Sequence, residues 1–476
     1  MSKYYITTPI YYINDVPHIG HAYTTIAADV LARSHRAKGD DVFFLTGTDE
    51  HGVKIAEAAK KAGKEPREFV DGLVPVFKNA WKKLNISHSE YFRTTNPDHE
   101  KIVQEIVEKL VAKDLVLKKK YEGLYCIGCE KYWKLEDLID GKCPDHKTVP
   151  VKQSEENYFF KLSQFGDQIL AKIKSGELEI GPDSRKNEVI GKINQGLEDI
   201  SISRSGVEWG IKFPGDESQT IYVWVDALLN YYTATKIFKK EDFWPANLHL
   251  MAKDILWFHA IIWPAMLLAL DLPLPKKVFA HGFFTVGNQK MSKTLGNVLD
   301  PIALSDKYGA DAVRYAVLRE FPFGEDGDIS EEKIAARYTE LANNIGNLVQ
   351  RTLSMINRYE LDQKIKAKSQ TDDSDLKIDQ LLDDLKFNEA LTEIMKLAES
   401  ANKYIAEKEP WVLAKEGKTE ELERVLQKSY DNISNIADLI APFMPETSEK
   451  IKAQLKSLEP EVLFPRLEEK ILNSKS

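Results

Sequence analysis

The 476-residue chain has the composition of an ordinary globular protein, with 43% hydrophobic and 29% charged residues. A chain of this length has room for about three domains. The net charge of −9 argues against a general nucleic-acid binder, because sequence-independent binding relies on a basic surface. The longest apolar run, residues 255–274, is broken by His259, Pro264 and Asp271, so we predict a buried helix and a turn rather than a membrane span. Since no signal-peptide pattern is present, we expect a cytoplasmic protein without membrane contact.

The first predicted elements alternate strand and helix. A strand over residues 4–8 leads into the motif His18-Ile19-Gly20-His21, and a helical pattern follows over residues 22–38. Residues 42–45 have the pattern of a buried strand, and further helices begin at Lys54. This alternation predicts βαβ units with a parallel sheet and a ligand crevice at the carboxyl ends of its strands. Amides at a helix start attract anions and imidazoles donate to them, so the motif suits a nucleotide triphosphate.

An insertion with a metal site is predicted next. Residues 118–215 have the pattern of turns and short strands and hold all three cysteines, which are too few and too clustered for a disulfide framework. Cys126 and Cys129 form one hook, and Cys143 and His146 form a second hook about a dozen residues further on. This spacing suits a closed tetrahedral Zn²⁺ site, so we expect one structural zinc ion.

The second half of the chain is predicted to restore the sheet and then to become helical. We expect strands over residues 220–224 and 278–286, and the motif Lys290-Met291-Ser292-Lys293 follows the second of these. Its lysines can neutralise a pyrophosphate that leaves a nucleotide triphosphate. Residues 301–319 are predicted to be helical. Beyond residue 331 the period is helical almost throughout, which predicts a C-terminal bundle.

The order and context of the histidine and lysine motifs resemble those of the class I aminoacyl-tRNA synthetases, and the residues between them resemble those of the methionyl enzymes. The resemblance implies an α/β fold: a Rossmann-like nucleotide-binding catalytic domain split by a zinc-knuckle insertion and followed by an all-α anticodon-binding bundle. The expected bounds are residues 1–115 and 216–282 for the catalytic halves, 116–215 for the insertion, 283–335 for the lysine-motif loop and linking region, and 336–476 for the bundle.

The same resemblance implies a reaction and its partners. L-Methionine would be activated by ATP to methionyl-adenylate and pyrophosphate, with Mg²⁺ on the phosphates. Methionine would then be transferred to the 3′-terminal adenosine of initiator and elongator methionine tRNAs. The chain lacks the dimerising C-terminal module that some methionyl enzymes carry, so we expect a monomer.

The site residues that the resemblance implies fall into three sets. Those expected to bind ATP are His18, Gly20, His21, Asp254, Lys290 and Lys293, of which the histidines and lysines are also catalytic. Those expected to form the methionine pocket are Ile10, Tyr12, Asp49, Trp224, Ala227, Leu228, Tyr231, Phe258 and His259. In this pocket aromatic rings offer polarizable contacts to a thioether, Asp49 accepts hydrogen bonds from the ammonium, and Tyr231 and His259 offer donors to the sulfur. Those expected to contact the anticodon are Asn344, Arg351 and Trp411, with Trp411 stacked on a base.

Three other interpretations remain open. One is a class I synthetase for another amino acid, although cysteinyl enzymes hold zinc in the pocket itself and the isoleucyl, leucyl and valyl types carry a long editing insertion. A small-molecule nucleotidyltransferase would share the histidine motif but lack a helical C-terminal third. A catalytically silent RNA-binding paralogue would have damaged motif histidines or lysines, and all four are present.

Overall fold

The computed structural model describes residues 1–127, 131–144, 147–286, 289–290, 298–365 and 373–467. Three of the predicted site residues, Cys129, His146 and Lys293, lie outside these ranges, and Lys290 is described in its backbone alone.

The strands are numbered in chain order. They are β1 (Lys3–Tyr12), β2 (Asp41–Asp49), β3 (Glu90–Arg93), β4 (Val116–Cys126), β5 (Lys131–Trp133), β6 (Val151–Phe160), β7 (Glu179–Gly181), β8 (Ile200–Ser201), β9 (Ser203–Ser205), β10 (Lys212–Phe213), β11 (Asp216–Ile221), β12 (Leu248–Ala252), β13 (Lys277–His281), β14 (Phe284–Val286), β15 (Gln289–Lys290) and β16 (Gly327–Asp328).

The α-helices are numbered in the same way. They are α1 (Ile19–Ala37), α2 (Val53–Lys61), α3 (Pro66–Lys83), α4 (Pro97–Ala112), α5 (Gly166–Ser175), α6 (Asp183–Asn194), α7 (Val223–Ile237), α8 (Trp263–Ala269), α9 (Pro301–Tyr308), α10 (Ala310–Arg319), α11 (Glu331–Leu341), α12 (Asn347–Arg358), α13 (Asp373–Asp383), α14 (Phe387–Lys408), α15 (Pro410–Lys415), α16 (Thr419–Ile440) and α17 (Pro445–Ser457). Short π-helical segments, Phe258–Ile262 and Ala342–Gly346, precede α8 and α12. Among the described residues, no helix is both long and apolar enough to cross a membrane.

A six-stranded parallel sheet organises the first two thirds of the chain. Its strand order is β3-β2-β1-β12-β13-β7, and each neighbouring pair is parallel. β1 therefore pairs with β2 from the first half of the sequence and with β12 from the second half. Such a point, where the strand order reverses, opens a crevice at the carboxyl ends of the strands. The predicted split parallel sheet is confirmed.

Two strand predictions need correction. Residues 220–224 do not rejoin the parallel sheet, because β11 ends at Ile221 in a small antiparallel sheet with β9 and β10, and Val223 already begins α7. The amide of Val225 donates to the carbonyl of Tyr222 at 2.8 Å and closes the first helical turn, so packing overrides the strand propensity of this run. Residues 278–286 form two strands, β13 and β14, rather than one.

The break between β13 and β14 lies at Gly282. Its backbone passes so close to the carbonyl of Glu325 that a side chain at this position would collide with it. β14 instead pairs with β15 in an antiparallel hairpin and with β16 in parallel. The lysine motif consequently begins at the last residue of this hairpin, outside the parallel sheet.

The segment predicted to contain turns and short strands is only partly of that kind. β4 and β6 form a long antiparallel pair flanked by β5 and β8. Residues 166–194, however, form the helices α5 and α6 around β7, and β7 pairs with β13 in the parallel sheet. The prediction of turns is wrong for these residues, while the bounds of the insertion stay a prediction.

The C-terminal part is helical, as predicted. The helix predicted over residues 301–319 is split into α9 and α10 at Gly309, whose φ of +90° leaves the helical region. The side chain of Asp300 caps α9 by accepting the amide of Ile302. α11 to α17 then pack into a bundle whose longest members, α14 and α16, contact each other along their length.

A fully buried ion pair joins the bundle to α1. Asp29 on α1 and Arg314 on α10 are both 0% exposed, and their charged atoms lie 2.7 Å apart. Arg314 also donates to the carbonyls of Leu84, Pro442 and Phe443, and thereby connects the end of α3 and the loop between α16 and α17. Burial alone would raise the pKa of the Asp29 carboxyl, but Arg314 and Arg33 outweigh burial and lower it.

Replacing Arg314 with methionine should lower the free energy of unfolding by about 3–5 kcal/mol, because the Asp29 carboxylate and three carbonyls lose their buried donor. Urea unfolding followed by circular dichroism measures this loss. Lys307→Met is the matched control, since Lys307 pairs with Glu331 at the surface, and it should change stability little. Equal losses in the two variants would show that the buried pair does not hold this junction.

Candidate active site

The histidine motif forms the N-terminal cap of α1. His18 is the N-cap residue, and its Nδ1 accepts the amide of Gly20 at 3.1 Å. The Nδ1 of His21 accepts the amide of His18 at 3.4 Å, and the two rings stack with centroids 3.8 Å apart. In a neutral imidazole, an Nδ1 that accepts a hydrogen bond leaves the ring proton on Nε2. The Nε2 of His18 and the Nε2 of His21 are therefore donors. The histidine motif therefore offers imidazole donors, while the amides of Ile19 and Gly20 are already bonded to the Leu299 carbonyl and to His18 Nδ1.

Both flanks of the lysine motif contact α1. The carbonyl of Leu299 accepts the amide of Ile19 at 3.0 Å, directly at the helix start. The ring of Phe284 in β14 lies 4.3 Å from that of Tyr23 on α1. The chain that carries Lys290 and Lys293 thus leaves from and returns to the vicinity of the histidine motif.

The predicted methionine-pocket residues come from four elements that meet at one edge of the sheet. Tyr12 ends β1 and is in register with Asp49 at the end of β2. Trp224 in the first turn of α7 stacks on Phe258, with ring centroids 3.8 Å apart and planes inclined by 10°. The remaining predicted members, Ile10, Ala227, Leu228, Tyr231 and His259, are all buried. The structure therefore brings the predicted residues together.

Tyr231 and His259 form a closed hydrogen-bonded pair. Burial lowers the pKa of His259 to about 4, so the ring is neutral near pH 7. Its Nδ1 donates to the carbonyl of Ile255 at 2.9 Å, which leaves Nε2 to accept the Tyr231 hydroxyl at 2.7 Å. Both protons are used within this arrangement, so the donors to sulfur that we expected from the pair would require it to rearrange.

The loop that carries Asp49 is held by its neighbour Glu50. This buried carboxylate accepts both Nε and Nη2 of Arg93 at 2.8 Å, together with the hydroxyls of Thr48 and Thr95. The carbonyl of Glu50 accepts the indole of Trp209 at 2.6 Å. Asp49 itself is 4% exposed, and its backbone position is fixed from two sides.

Asp254, the remaining predicted ATP residue, lies at the carboxyl end of β12. It is exposed in the short turn Lys253–Ile255, at the same sheet edge as the pocket. The adjacent Lys253 pairs with Asp326 at 2.5 Å and fixes this turn to the segment before β16.

Sequence reasoning missed two buried features of this site. Arg204 on β9 is 7% exposed, lies over the ring of Tyr222 at 4.1 Å, and lines a crevice with His51 and Trp209. Asp226 on α7 lies between two imidazoles. No local pattern reveals either feature, since each depends on contacts between segments far apart in the sequence.

The described part of the predicted metal site holds two buried cysteines. Cys126 is 1% exposed and Cys143 is 0% exposed. The sulfur of Cys126 lies 3.8 Å from the hydroxyl of Thr148, whose carbonyl accepts the amide of Cys143. Thr148 therefore links the two hooks. No group of metal ligands is complete within the described ranges, and Cys129 and His146 lie outside them.

The predicted anticodon residues lie on the bundle. The Arg351 guanidinium lies over the ring of Trp411, 5.1 Å from its centroid, so α12 and α15 bring these two residues together. Asn344 is half-buried in the π-helical segment, and its carbonyl accepts the side chain of Asn402 on α14. Asn347, which sequence reasoning did not select, is exposed and lies one turn before Arg351.

A parallel nucleotide-binding sheet, paired histidines that cap its first helix and a C-terminal helical bundle together define a class I aminoacyl-tRNA synthetase. Family models agree: one for class I tRNA synthetases of the (M) type matches residues 4–149 and 133–353, and one for the anticodon-binding domain of tRNA ligases matches residues 366–472.

Similar proteins narrow the class. The methionine–tRNA ligase of Caldanaerobacter subterraneus subsp. tengcongensis is 49% identical over 469 residues, which are 95% of this chain and 74% of that protein. The methionine–tRNA ligase of Thermotoga maritima is 46% identical over 94% of this chain and 74% of its own length. The Mycobacterium tuberculosis methionyl-tRNA synthetase in complex with methionyl-adenylate superimposes with a TM-score of 0.91 at 37% identity, covering 98% of this chain and 100% of that chain. The chain belongs to the methionyl-tRNA synthetase family.

The free energy of unfolding should fall as the pH is lowered from 6.5 to about 4. His249, His259 and His281 are neutral in the fold because burial lowers their pKa values below the ordinary 6.5. Their contribution to stability is complete above pH 6.5 and is lost as the pH falls toward the folded pKa values. Asp29 and Asp226, whose pKa values are lowered, lose their contribution only below 3.8.

Urea titrations across this pH range measure the dependence. A His281→Gln variant should show a shallower slope, because one proton fewer is taken up on unfolding. An unchanged slope would contradict the assignment of a neutral His281.

Proposed function

We propose that this protein activates L-methionine with ATP to give methionyl-adenylate and pyrophosphate, and then transfers the methionyl group to the 3′-terminal adenosine of initiator and elongator methionine tRNAs. The observation that carries the proposal is the aromatic cage at the sheet edge beside the capped histidine motif. Such a transfer depends on positioning and on stabilisation of charge, which a rigid site of this kind provides.

The histidine and lysine motifs are assigned to the triphosphate of ATP. His18 and His21 would donate from Nε2 to phosphate oxygens, with Gly20 allowing close approach at the start of α1. Lys290 and Lys293 would approach from the opposite side and neutralise the leaving pyrophosphate. The contacts of Phe284 and Leu299 with α1 support this assignment, because they tie both ends of the lysine segment to the histidine motif. Mg²⁺ would accompany ATP as part of the substrate, and Asp254 would lie close to the adenylate.

The methionine side chain is assigned to the cage of Tyr12, Trp224, Tyr231 and Phe258. Because Tyr231 and His259 satisfy each other, the cage would recognise the thioether through polarizable contacts rather than through a donor. Asp49, buried at the end of β2, would accept the substrate ammonium. A cage without an open metal position or a fixed charge for the side chain favours methionine over cysteine and over charged amino acids.

The insertion is assigned one structural zinc ion, held by Cys126, Cys129, Cys143 and His146. The described residues fit this role, since both described cysteines are buried while neighbouring apolar side chains, such as Leu135 at 76%, are exposed. A segment with so little apolar core needs a cross-link. When bound, a four-coordinate Zn²⁺ supplies this cross-link and leaves no position open for catalysis.

The bundle is assigned to the anticodon. Trp411 would stack on an unpaired base, and Arg351, Asn344 and Asn347 would contact the base or its phosphate. Because charged tRNA supplies the ribosomes, we propose that the protein acts in the cytoplasm. We also propose that it acts as a monomer.

Pyrophosphate exchange into ATP without tRNA, across the proteinogenic amino acids, tests the activation step. Methionine alone should drive exchange. His21→Ala and Lys293→Ala should each lower the rate by about 100-fold or more, because each removes a preorganised donor to the phosphates. His35→Ala is the matched control at the far end of α1, where its ring stacks on Tyr4, and it should retain exchange. Exchange driven by a different amino acid would contradict the pocket assignment.

Replacing Trp411 with alanine should raise the KM for tRNA in aminoacylation by an amount equivalent to about 1–3 kcal/mol, because one base loses its stacking partner. Methionine-dependent pyrophosphate exchange should stay unchanged. Tyr359→Ala serves as the control, since Tyr359 directly follows α12, lies beside Arg358 and has no assigned role. A change in both variants, or in neither, would rule out a specific contact of Trp411 with the anticodon.

A further inference from the structure

A buried carboxylate shared by two imidazoles lies beside the methionine pocket. Asp226 Oδ2 lies 2.7 Å from His51 Nδ1, and Asp226 Oδ1 lies 2.6 Å from His99 Nε2. The exposed fractions are 1% for Asp226, 4% for His51 and 0% for His99. The Nδ1 of His99 bonds in turn to the hydroxyl of Thr233 at 2.8 Å. We call Asp226, His51 and His99 the carboxylate clamp.

The carboxylate clamp connects the two parts of the pocket that must match the substrate. His51 follows Asp49 by two residues, and Asp226 directly precedes Ala227 on α7. His99 adds α4 as a third support. We propose that the carboxylate clamp sets the spacing between Asp49 and the methionine cage, with Asp226 as the positioning residue; this rests on the proposed function, in which Asp49 accepts the substrate ammonium.

The clamp bonds the segment that follows Asp49 directly to α7. Glu50 bonds the same segment to β3 through Arg93. The Nδ1 of His51 lies 2.7 Å from the Oδ2 of Asp226, which lies in the first turn of α7. A buried carboxylate that lost one partner would be left with an uncompensated charge, so the pair holds its geometry tightly.

Within the clamp, opposite charges meet between His51 and Asp226. Burial favours the neutral ring of His51, but the Asp226 carboxylate, with Glu100 at 3.6 Å and Asp49, outweighs burial and raises the pKa of His51 to about 10. The other titratable groups that line the same crevice are Arg204, Tyr125 and Tyr222. A cationic His51 thus lies between the carboxylates of Asp226 and Glu100, and Asp49 adds to the field that stabilises its charge.

The test compares two ligands that differ only in the ammonium group. L-Methionine and 4-(methylthio)butanoate would be titrated by calorimetry into the intact full-length protein and into Asp226→Asn. The intact protein should prefer methionine. In Asp226→Asn the affinity for methionine should fall by on the order of tenfold or more, because Asp49 is displaced, while the affinity for the butanoate should change by less than about twofold. The KM for ATP in pyrophosphate exchange should also stay within about twofold, since the histidine motif lies on α1.

Two further variants make the result decisive. Thr235→Val is the matched control on α7, because the Thr235 hydroxyl is buried and bonds only to the carbonyl of Tyr232 among the described contacts, and both affinities should be unchanged. His99→Gln removes one arm of the clamp and should weaken methionine binding in the same direction, which keeps the test available if Asp226→Asn does not fold.

The outcomes distinguish the positioning role of Asp226 from the role of Asp49 and from the proposed function. If Asp226→Asn lowered the affinity for both ligands equally, or left the preference for methionine unchanged, the positioning role would be overturned and the proposed function would stand. No preference for methionine in the intact protein would overturn the role of Asp49, and with it the clamp. Loss confined to methionine supports the proposal.

Discussion

The buried ion pair between Asp29 and Arg314 is the interaction on which the relation between the two halves of the molecule depends. Asp29 lies on α1, whose first turn is capped by His18. The Arg314 guanidinium also donates to the carbonyls of Pro442 and Phe443. The bundle that carries the predicted anticodon residues is therefore connected through Arg314 to α1, which begins at the predicted ATP-binding histidines. A planar fork of donors is needed for this, since one cation must satisfy a carboxylate and three carbonyls at once.

Four buried histidines of the catalytic region fall into two electrostatic groups. His249, His259 and His281 are surrounded by apolar or hydroxyl neighbours, and burial keeps them neutral. His51 is equally buried, but it faces carboxylates and remains cationic. The same residue type thus serves as a neutral hydrogen-bond partner at some buried positions and as a fixed charge at another. What decides between these roles is the neighbouring side chain rather than the extent of burial.

The places of the predicted site residues in the fold could be anticipated in part from the sequence, because these residues lie within short motifs. Strand-to-helix alternation placed the histidine motif at the start of α1, and the aromatic residues around Trp224 and Phe258 came from recognisable segments. The sequence reading was wrong where long-range contacts decide local structure. Gly282 breaks a strand because it passes the carbonyl of Glu325, β7 joins the main sheet from within a segment of low apparent order, and Val223 begins a helix despite its strand propensity.

The sequence by itself determined the class of fold, the family motifs and the chemistry of the pocket residues, because these depend on residue types at short spacing. The tertiary structure alone decided which protons are donors and which residues fix the pocket. The closed pair of Tyr231 and His259, the cation–π contact of Arg351 with Trp411, and the clamp around Asp226 each join segments far apart in the chain. Hydrogen-bond geometry and burial exist only once those segments meet, so no pattern along the sequence could have specified them.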